Sequence, residues 1–324
     1  MPIGRREWLQ LGLAGGLGAV GGYLFGRRKT GVAMPTGHVM SADSLYSQGI
    51  QPPDALGPLA LEQSLIPPPF VPGPRRARSF ELRVEEGPLE VAKGATFNAW
   101  SFNGQVPGPI IRATEGDDLT INFRNLGAHP HNVHFHGRHD VTQDGWEPVP
   151  VGGSATYQFR AEPFGLHPYH CHALPVSEHM AHGLYGVMIV DPPAGRPPAH
   201  ELALVLSGFD VNDDGVDELY GWNGVAGYYA RYPIKVPVGQ LIRVYLANFC
   251  GMEPSVSFHL HAESFKLFRS GTRLVPDEET DIVTLGPSER AVLEFTLPVR
   301  GRYMFQPHQH HLAERGATGW FAAV

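Results

Sequence analysis

Short runs that alternate between apolar and polar residues recur along the chain from about residue 79 onward. Residues 119–123 (LTINF) and 291–295 (AVLEF) are two such runs, and Gly, Pro and Asn residues separate one run from the next. Alternation with a period of two is typical of strands that cover a core on one face, and frequent turn residues leave little room for long helices. The pattern therefore predicts an all-β protein built from sandwiches or barrels.

Two segments precede this β region. Residues 1–33 contain the pair Arg5-Arg6 ahead of an uncharged stretch at 9–26. An arginine pair before a mildly apolar run resembles a twin-arginine export signal, and a plain N-terminal membrane anchor is the alternative. Both predict a periplasmic or otherwise extracytoplasmic protein, held at the inner membrane if the segment is not cleaved. Residues 34–78 are Pro-rich and aperiodic, so we expect an extended arm there.

The β region consists of two similar halves. Three motifs of the first half return in the same order in the second: an Asn-Gly turn at Asn103 and Asn223, a His-x-His pair at His134/His136 and His259/His261, and another at His170/His172 and His308/His310. A repeat of this length predicts two domains of one fold. We place them at residues 79–194 and 200–324, joined by a short Pro-rich segment.

Composition and charge narrow the range of functions. The 324 residues include 25 Lys and Arg and 32 Asp and Glu, a formal charge of −7 that argues against a nucleic-acid partner. Two cysteines exclude both a disulfide framework and a four-cysteine zinc site. Histidine is the outlier, with 17 copies. Residues i and i+2 of a strand face the same side, so four His-x-His pairs in matching places of a repeat predict a metal cluster.

Cys171 stands between His170 and His172. On a strand its sulfur faces away from the two imidazoles, so a thiolate-bound metal would lie a few covalent bonds from histidine-bound metals. His131 and His179 are the further candidate ligands of the thiolate site. Two histidines and one cysteine with a weak or absent axial group form the blue-copper arrangement.

These motifs resemble the multicopper oxidases, in particular the laccase-like members built from two cupredoxin domains and related to copper nitrite reductases. The resemblance spans both predicted domains and implies Greek-key sandwich or barrel domains with four coppers per subunit. The implied ligands are His131, Cys171 and His179 for a type 1 copper with Leu184 at its axial position, His134 and His259 for a type 2 copper, and His136, His170, His172, His261, His308 and His310 for a type 3 pair.

The second domain provides an internal comparison. The repeat places Val256, Gln309 and Leu312 where the first domain has its three type 1 candidates. We therefore expect one type 1 copper, in the first domain. Leu184 has no thioether sulfur, so we expect a fairly oxidising centre.

Several other polar residues have candidate roles. Asp144 lies where the family places a carboxylate that delivers protons to oxygen, although an Asp-Gly turn role is the alternative, and Glu314 is a weaker candidate acid. Residues 210–215 (DVNDDG) look like a calcium loop without flanking helices, and we expect a solvated acidic turn. We expect His182 to be a hydrogen-bonding residue and Cys250 to be a free, buried thiol.

The resemblance implies one-electron oxidation of phenols or aromatic amines at the type 1 copper, coupled to four-electron reduction of O2 to water. No acidic cluster is visible beside His179 in the sequence, which favours organic donors. A metal oxidase acting on Cu(I), Fe(II) or Mn(II) is the alternative, followed by copper nitrite reductase and a non-enzymatic electron-transfer protein. Because the chain is too short for the three-domain form of the family, we expect a homotrimer with the trinuclear cluster at subunit interfaces.

Overall fold

The structure is a computed structural model that describes residues 49–324. In that range twenty strands form four sheets, and the helices are short, so the all-β prediction is confirmed. The predicted export segment and the first part of the predicted arm lie outside the described residues. Within residues 49–324, no helix has the length and apolar character needed to cross a bilayer.

The first domain contains strands β1 to β8. Their bounds are Ala77–Ala92, Ala95–Phe102, Ile111–Thr114, Asp118–Asn125, His134–Phe135, Ser154–Arg160, Gly165–His170 and Tyr185–Asp191. They form two mixed sheets in the orders β2-β1-β4-β6 and β3-β8-β7-β5. The apolar core lies between these sheets and includes Cys171 and Leu184.

The second domain contains strands β9 to β20. Their bounds are His200–Phe209, Leu219–Trp222, Val225–Ala226, Ile234–Val236, Leu241–Asn248, Val256–Leu260, Phe265–Arg269, Glu278–Thr280, Ile282–Leu285, Arg290–Thr296, Gly301–Gln306 and Gly319–Ala323. One sheet has the order β11-β10-β9-β13-β18-β15-β16 and the other β12-β20-β19-β14-β17.

Four short helices complete the described fold. They are α1 Glu62–Leu65, α2 Val176–Ala181, α3 Tyr228–Arg231 and α4 His310–Leu312, with a 3₁₀ turn at Val141–Gln143 and a π-helical turn at Ala313–Ala317. Helix α1 interrupts the predicted extended arm, and β1 begins two residues before the predicted domain start. Both Asn-Gly turns have positive φ at Asn and Gly, 58° and 74° at Asn103 and Gly104 and 54° and 92° at Asn223 and Gly224, so the repeat extends to the backbone.

Strand β8 is buried along its whole length because both of its faces are covered. Met188 faces the core of the first domain, whereas Tyr185, Val187 and Ile189 pack against apolar residues of β9 and β13 in the second domain. The two domains therefore share an apolar layer that also fixes β8, the strand that follows Leu184.

A buried ionic cluster also joins the domains. Arg112 contacts Asp191 at 2.7 Å and Glu201 at 2.7 Å, and Arg243 contacts Glu201 at 3.0 Å and Glu294 at 2.7 Å. Both arginines are nearly inaccessible, at 5% and 2% exposure. Removing one partner would leave an uncompensated buried charge, at a cost of about 3–5 kcal/mol.

Candidate copper centres

The three predicted type 1 ligands lie together in the first domain. His131 forms an isolated bridge with Val149, Cys171 follows the end of β7, and His179 is in the last turn of α2. The Nδ1 atoms of His131 and His179 are 3.0 Å apart, and the Cys171 Sγ lies 3.3 Å from His179 Nδ1 and 3.9 Å from His131 Nδ1. Three donor atoms thus converge on one point.

Burial shifts the pKa values of all three candidate ligands. Cys171 and His131 are fully buried and His179 is 4% exposed. Burial lowers the pKa of His179 to about 4 and also lowers the pKa of His131, so both imidazoles are neutral and offer lone pairs at neutral pH. Burial raises the pKa of the Cys171 thiol, and a bound cation would reverse this preference by stabilising the thiolate.

Backbone and amide hydrogen bonds hold the group in place. The Asn132 Oδ1 accepts from the backbone N–H of His172 at 2.7 Å and lies 3.5 Å from the Cys171 sulfur. Leu184 accepts from the Cys171 N–H at 2.9 Å and donates its own N–H to the His179 carbonyl at 3.3 Å. The residue predicted at the axial position is therefore bonded to two of the three candidate ligands and is fully buried.

Glu86 on β1 is a neighbour of this group that the sequence did not indicate. Its Oε1 lies 2.9 Å from His131 Nε2, and it accepts from the backbone N–H groups of Ala128 at 2.8 Å and His129 at 3.2 Å. Burial works to raise the pKa of Glu86, but the hydrogen bonds from His131, His129 and the two amides hold it below its usual value. The side chain is 14% exposed.

Trp100 borders the same group. Its ring stacks on His182 at 4.4 Å and on His129 at 4.6 Å between centroids, and meets His179 edge-on at 4.9 Å. The His182 Nδ1 donates to the Asn98 carbonyl at 2.7 Å, in agreement with a hydrogen-bonding rather than a ligating role. The sequence did not indicate Trp100 or His129 as part of this group. Each contributes a single ring to contacts between segments that are distant along the chain, and no local motif marks such contacts.

The predicted cluster histidines of the first domain form a second group. The Nε2 atoms of His136 and His170 are 3.2 Å apart, and the ring of His134 lies 5.3 Å from both. His172 joins them at 5.6 Å from His134. The His134 Nδ1 lies 3.2 Å from the Asp144 carbonyl, which leaves its Nε2 available to a metal.

The second domain supplies a matching group at its surface. His259 lies 4.7 Å from both His261 and His308, and His310 lies 6.0 Å from His308. The His259 Nδ1 lies 2.9 Å from the Asp281 carbonyl, so Asp281 repeats the role of Asp144. His308 and His310 are exposed, and they occupy a bend and the start of α4 instead of the strand that the pairing rule assumed. The strand ends at Gln306 because Pro307 cannot donate to the ladder.

The two histidine groups remain apart within one chain. Among the described residues, no ring contact and no close set of metal-ligand atoms joins a histidine of the first group to one of the second. Trp146, 57% exposed, packs against His172 at 5.0 Å, and Leu174 two residues beyond His172 is 85% exposed. Two exposed apolar side chains therefore lie beside the first histidine group.

The second domain has no donor set at the positions that correspond to the type 1 candidates. Val256 and Leu312 are buried apolar residues. The Gln309 Oε1 accepts from the Ser257 N–H at 3.0 Å and its hydroxyl at 2.9 Å, and Nε2 donates to the Ser255 carbonyl at 3.2 Å. The Gln309 amide, with both its oxygen and its nitrogen hydrogen-bonded within the second domain, thus occupies the position that corresponds to Cys171.

The two candidate acids lie in different surroundings, and the second cysteine is buried. The Asp144 Oδ1 lies 3.1 Å from His134 Nδ1 and 3.5 Å from His139 Nε2, beside the first histidine group. Glu314 is exposed on the π-helical turn that follows α4. Cys250 is a free and fully buried cysteine.

Acidic residues from both domains line a groove beside α2, the helix that carries His179. A groove of about 510 Å³ borders α2 and is lined by Trp100 and His182 together with three acidic residues, Glu178, Asp210 and Asp213. Asp210 and Asp213 belong to the acidic turn, in which the Asp210 carboxylate accepts from the N–H groups of Asp214 and Gly215. The sequence concealed this cluster because the turn comes from the second domain.

The fold and the buried His2Cys group define a two-domain copper protein of the cupredoxin-like class. The chain belongs to the multicopper oxidase family, because two family models described as multicopper oxidase match residues 83–195 and 196–324. Membership implies copper and an oxidoreductase reaction. The donor atoms that converge in the first domain fit that metal.

Relatives with different reactions resemble this chain. A copper-containing nitrite reductase of Neisseria gonorrhoeae is 30% identical over 265 residues, which is 74% of this chain and 66% of that protein. The chain thus spans just under two thirds of that relative's length. Laccase-8 of Oryza sativa subsp. japonica is 24% identical over 246 residues, 64% of this chain and 43% of that protein.

The solved structures that resemble this chain also include both oxidases and nitrite reductases. One described as a multicopper oxidase has a TM-score of 0.75 and 40% identity, covering 76% of this chain and 89% of that one. A copper nitrite reductase from Nitrosomonas europaea has a TM-score of 0.68 and 28% identity, covering 76% and 94%. Similarity alone therefore does not separate an oxidase from a nitrite reductase.

Proposed function

We propose that this protein is a laccase-like multicopper oxidase that couples one-electron oxidation of phenolic and aromatic donors to four-electron reduction of O2 to water. The observation that carries the proposal is the double set of paired histidines. Each domain presents four imidazoles as a group, and in each group the first histidine is anchored through Nδ1 to an aspartate carbonyl. Eight imidazoles exceed the three that a mononuclear type 2 site uses.

The donor sets divide the metal among distinct sites. His131, Cys171 and His179 would hold a type 1 copper, His134 and His259 a type 2 copper, and His136, His170, His172, His261, His308 and His310 a type 3 pair. When bound, the four coppers supply electron acceptance from the donor and reduction of oxygen. Cys171 is covalently continuous with His170 and His172, so the chain itself connects the first site to the others.

Protein side chains supply the remaining requirements. Asp144, 14% exposed and within 3.5 Å of two imidazoles, is placed to hold and move protons beside the cluster. The His170 Nδ1 lies 2.9 Å from the Cys171 carbonyl, which orients its Nε2 toward His136. Burial of the Cys171 side chain excludes water from the thiolate.

The assembled form that we propose is a homotrimer. Four histidines of one domain and four of the other cannot serve one cluster while they lie apart in a single chain, so each cluster takes its halves from adjacent subunits. The exposed Trp146 beside His172 and the exposed His308 and His310 support this arrangement. A closed ring of identical head-to-tail interfaces satisfies every subunit.

The test compares two acceptors in the copper-loaded protein. We expect oxygen uptake with a phenolic donor at about four donor electrons per O2, from the stoichiometry of water formation. Nitrite turnover in the absence of oxygen uptake would instead identify a nitrite reductase. A His259→Ala variant is the control, since it should abolish oxygen uptake while the donor still reduces the type 1 copper.

A second candidate concerns the donor. The groove that borders α2 has three carboxylates, which favour a positively charged donor such as Fe(II), Mn(II) or a cationic aromatic amine. A Glu178→Gln/Asp213→Asn variant should raise KM for a cationic donor and leave KM for an anionic donor unchanged or lower. A Glu278→Gln variant, altered at an exposed acid outside the groove, is the matched control. Equal effects on both donors would remove the candidate.

A further inference from the structure

Glu86 occupies a position from which it can act on the type 1 centre. The residue lies on β1 opposite Trp100 of β2, and its carboxylate reaches His131, which comes from a different segment. The contact joins Oε1 to His131 Nε2 at 2.9 Å, while the Nδ1 of the same ring faces Cys171 and His179. One ring nitrogen is thus occupied by the carboxylate and the other belongs to the candidate copper group.

Several neighbouring groups hold the Glu86 carboxylate in place. Backbone N–H groups of Ala128 and His129 donate to Oε1, and the His129 ring contacts both oxygens at 3.2 and 3.1 Å. Gly127 makes the approach feasible, because a Cβ at that position would stand 2.4 Å from Oε1. The Glu86 side chain is therefore fixed by several independent contacts and not by His131 alone.

We propose that Glu86 is a positioning residue of the type 1 centre, which fixes the His131 ring with Nδ1 toward the copper and lowers the reduction potential of that copper. The inference rests on the proposed function, since it presupposes copper at the His131, Cys171 and His179 group. A carboxylate that accepts the Nε2–H bond raises the electron density of the ring, makes Nδ1 a stronger donor and stabilises Cu(II) over Cu(I).

Glu86 and Leu184 then act on the potential in opposite directions. An aliphatic residue in place of a thioether removes a donor and favours Cu(I), whereas a carboxylate behind a ligating imidazole favours Cu(II). The sequence predicted a fairly oxidising centre from Leu184 alone. With Glu86 included, the centre is less oxidising than that prediction.

The experiment is a redox titration of the blue absorption in the copper-loaded, full-length protein. Glu86→Gln keeps an oxygen acceptor but removes the charge, and Gly127→Ala keeps the charge but displaces the carboxylate. Both variants should retain the blue band and shift the Cu(II)/Cu(I) equilibrium toward Cu(I) by about tenfold, which is 59 mV for a one-electron couple. A merely structural role would not give this shared change from two unrelated substitutions.

Glu85→Gln is the matched control. It removes the same charge one residue away, from a side chain that is 42% exposed and pairs with Arg83 at 3.4 Å. Its potential should equal that of the wild type. In the copper-free protein, nitrogen NMR of His131 gives a second measurement: an Nε2–H signal protected from exchange is expected in the wild type, with protection lost in Gly127→Ala.

The outcomes separate the inference from the function on which it rests. A normal blue band with an unchanged potential in both variants would overturn the role of Glu86 and leave the proposed oxidase intact. A potential shifted equally by Glu85→Gln would also overturn it, since net charge would then explain the change. A copper-loaded wild type with no blue band would overturn both.

Discussion

The Nε2 atoms of His136 and His170 face each other at 3.2 Å. Burial lowers the pKa of His136 to about 3 and that of His170 to about 4, so both rings are neutral at physiological pH. Neutral ring nitrogens can bind a cation without first losing a proton. Two that face each other are therefore suited to hold a metal ion between them. The first half of the proposed cluster is therefore already assembled within a single chain, and in the proposed trimer a neighbouring subunit would complete it.

Subunit mixing tests that dependence. Homotrimers of His136→Ala and of His310→Ala should each lack oxygen reduction, because each has one defective half at every interface. After dissociation and reassembly of an equal mixture, about a quarter of the interfaces should combine two intact halves and recover activity. Oxygen uptake of the mixture measures this recovery.

The control mixture pairs His136→Ala with His170→Ala. Both substitutions lie in the same half, so no interface in the mixture has two intact halves. Recovery in this control, or no recovery in the test mixture despite confirmed exchange of subunits, would contradict a cluster shared between subunits.

Cys171→Ser tests the division between the sites. Replacing the thiolate with a hydroxyl should abolish the blue absorption and donor oxidation, because a serine oxygen is a poor ligand for this centre. The histidine sites should keep most of their copper, measured by metal analysis against the wild type. Cys250→Ser is the control and should leave the absorption unchanged, and a loss of all copper from Cys171→Ser would contradict independent sites.

Asp144→Asn distinguishes a proton-transfer role from a turn. The substitution leaves the backbone carbonyl of residue 144 in contact with His134, but an amide side chain cannot accept and release a proton as a carboxylate does. We expect the rate of oxygen reduction to fall by about a hundredfold, while the type 1 copper is reduced by the donor at the normal rate. Stopped-flow absorption measures the two steps separately, with the exposed Glu147→Gln as the control. Equal rates in Asp144→Asn and wild type would assign Asp144 to the turn alone.

Asp217 makes the stability of the copper-free protein dependent on pH. Burial, and the neighbouring charges of Asp210, Glu253 and Glu218, raise its pKa from 3.8 to about 7. Between these values the folded state binds the proton and the unfolded state does not, so the free energy of unfolding decreases as pH rises through this range. The decrease amounts to at most about 4 kcal/mol.

Asp217→Asn should remove this dependence and raise Tm at pH 8 relative to wild type, with little change at pH 4. Thermal unfolding followed by circular dichroism at both pH values measures the difference. Asp213→Asn, at an exposed position of the acidic turn that precedes Asp217, should retain the wild-type dependence. An identical pH profile in Asp217→Asn and wild type would contradict the assignment.

Local patterns in the sequence were sufficient to predict the all-β fold and to single out the paired histidines and Cys171. The alternating runs at 119–123 and 291–295 lie within β4 and β18, and the repeated Asn-Gly turns have the same backbone conformation. Period-two alternation is a local consequence of strand geometry, which is why it can be recognised without knowledge of tertiary contacts. His131, Cys171 and His179 meet because strand ends and a short helix deliver them to one point.

Contacts between distant segments could not be predicted in this way. Glu86 reaches His131 across 45 residues, and the acidic turn of the second domain lines the groove beside α2. Neither residue type nor spacing distinguishes Glu86 from Glu85, since only the direction of the side chain differs. The strand assumption for His308 and His310 failed because Pro307 ends the ladder.

Gln309 has a consequence for how the protein matures. Its amide hydrogen bonds to Ser257 and Ser255 complete the interior of the second domain without any metal. In the first domain, Cys171 and two imidazoles meet at the corresponding place and gain their full set of bonds only when copper arrives. Folding of the second domain's interior would therefore not wait for copper, whereas the thiol site of the first domain would be completed only after folding, when the metal binds.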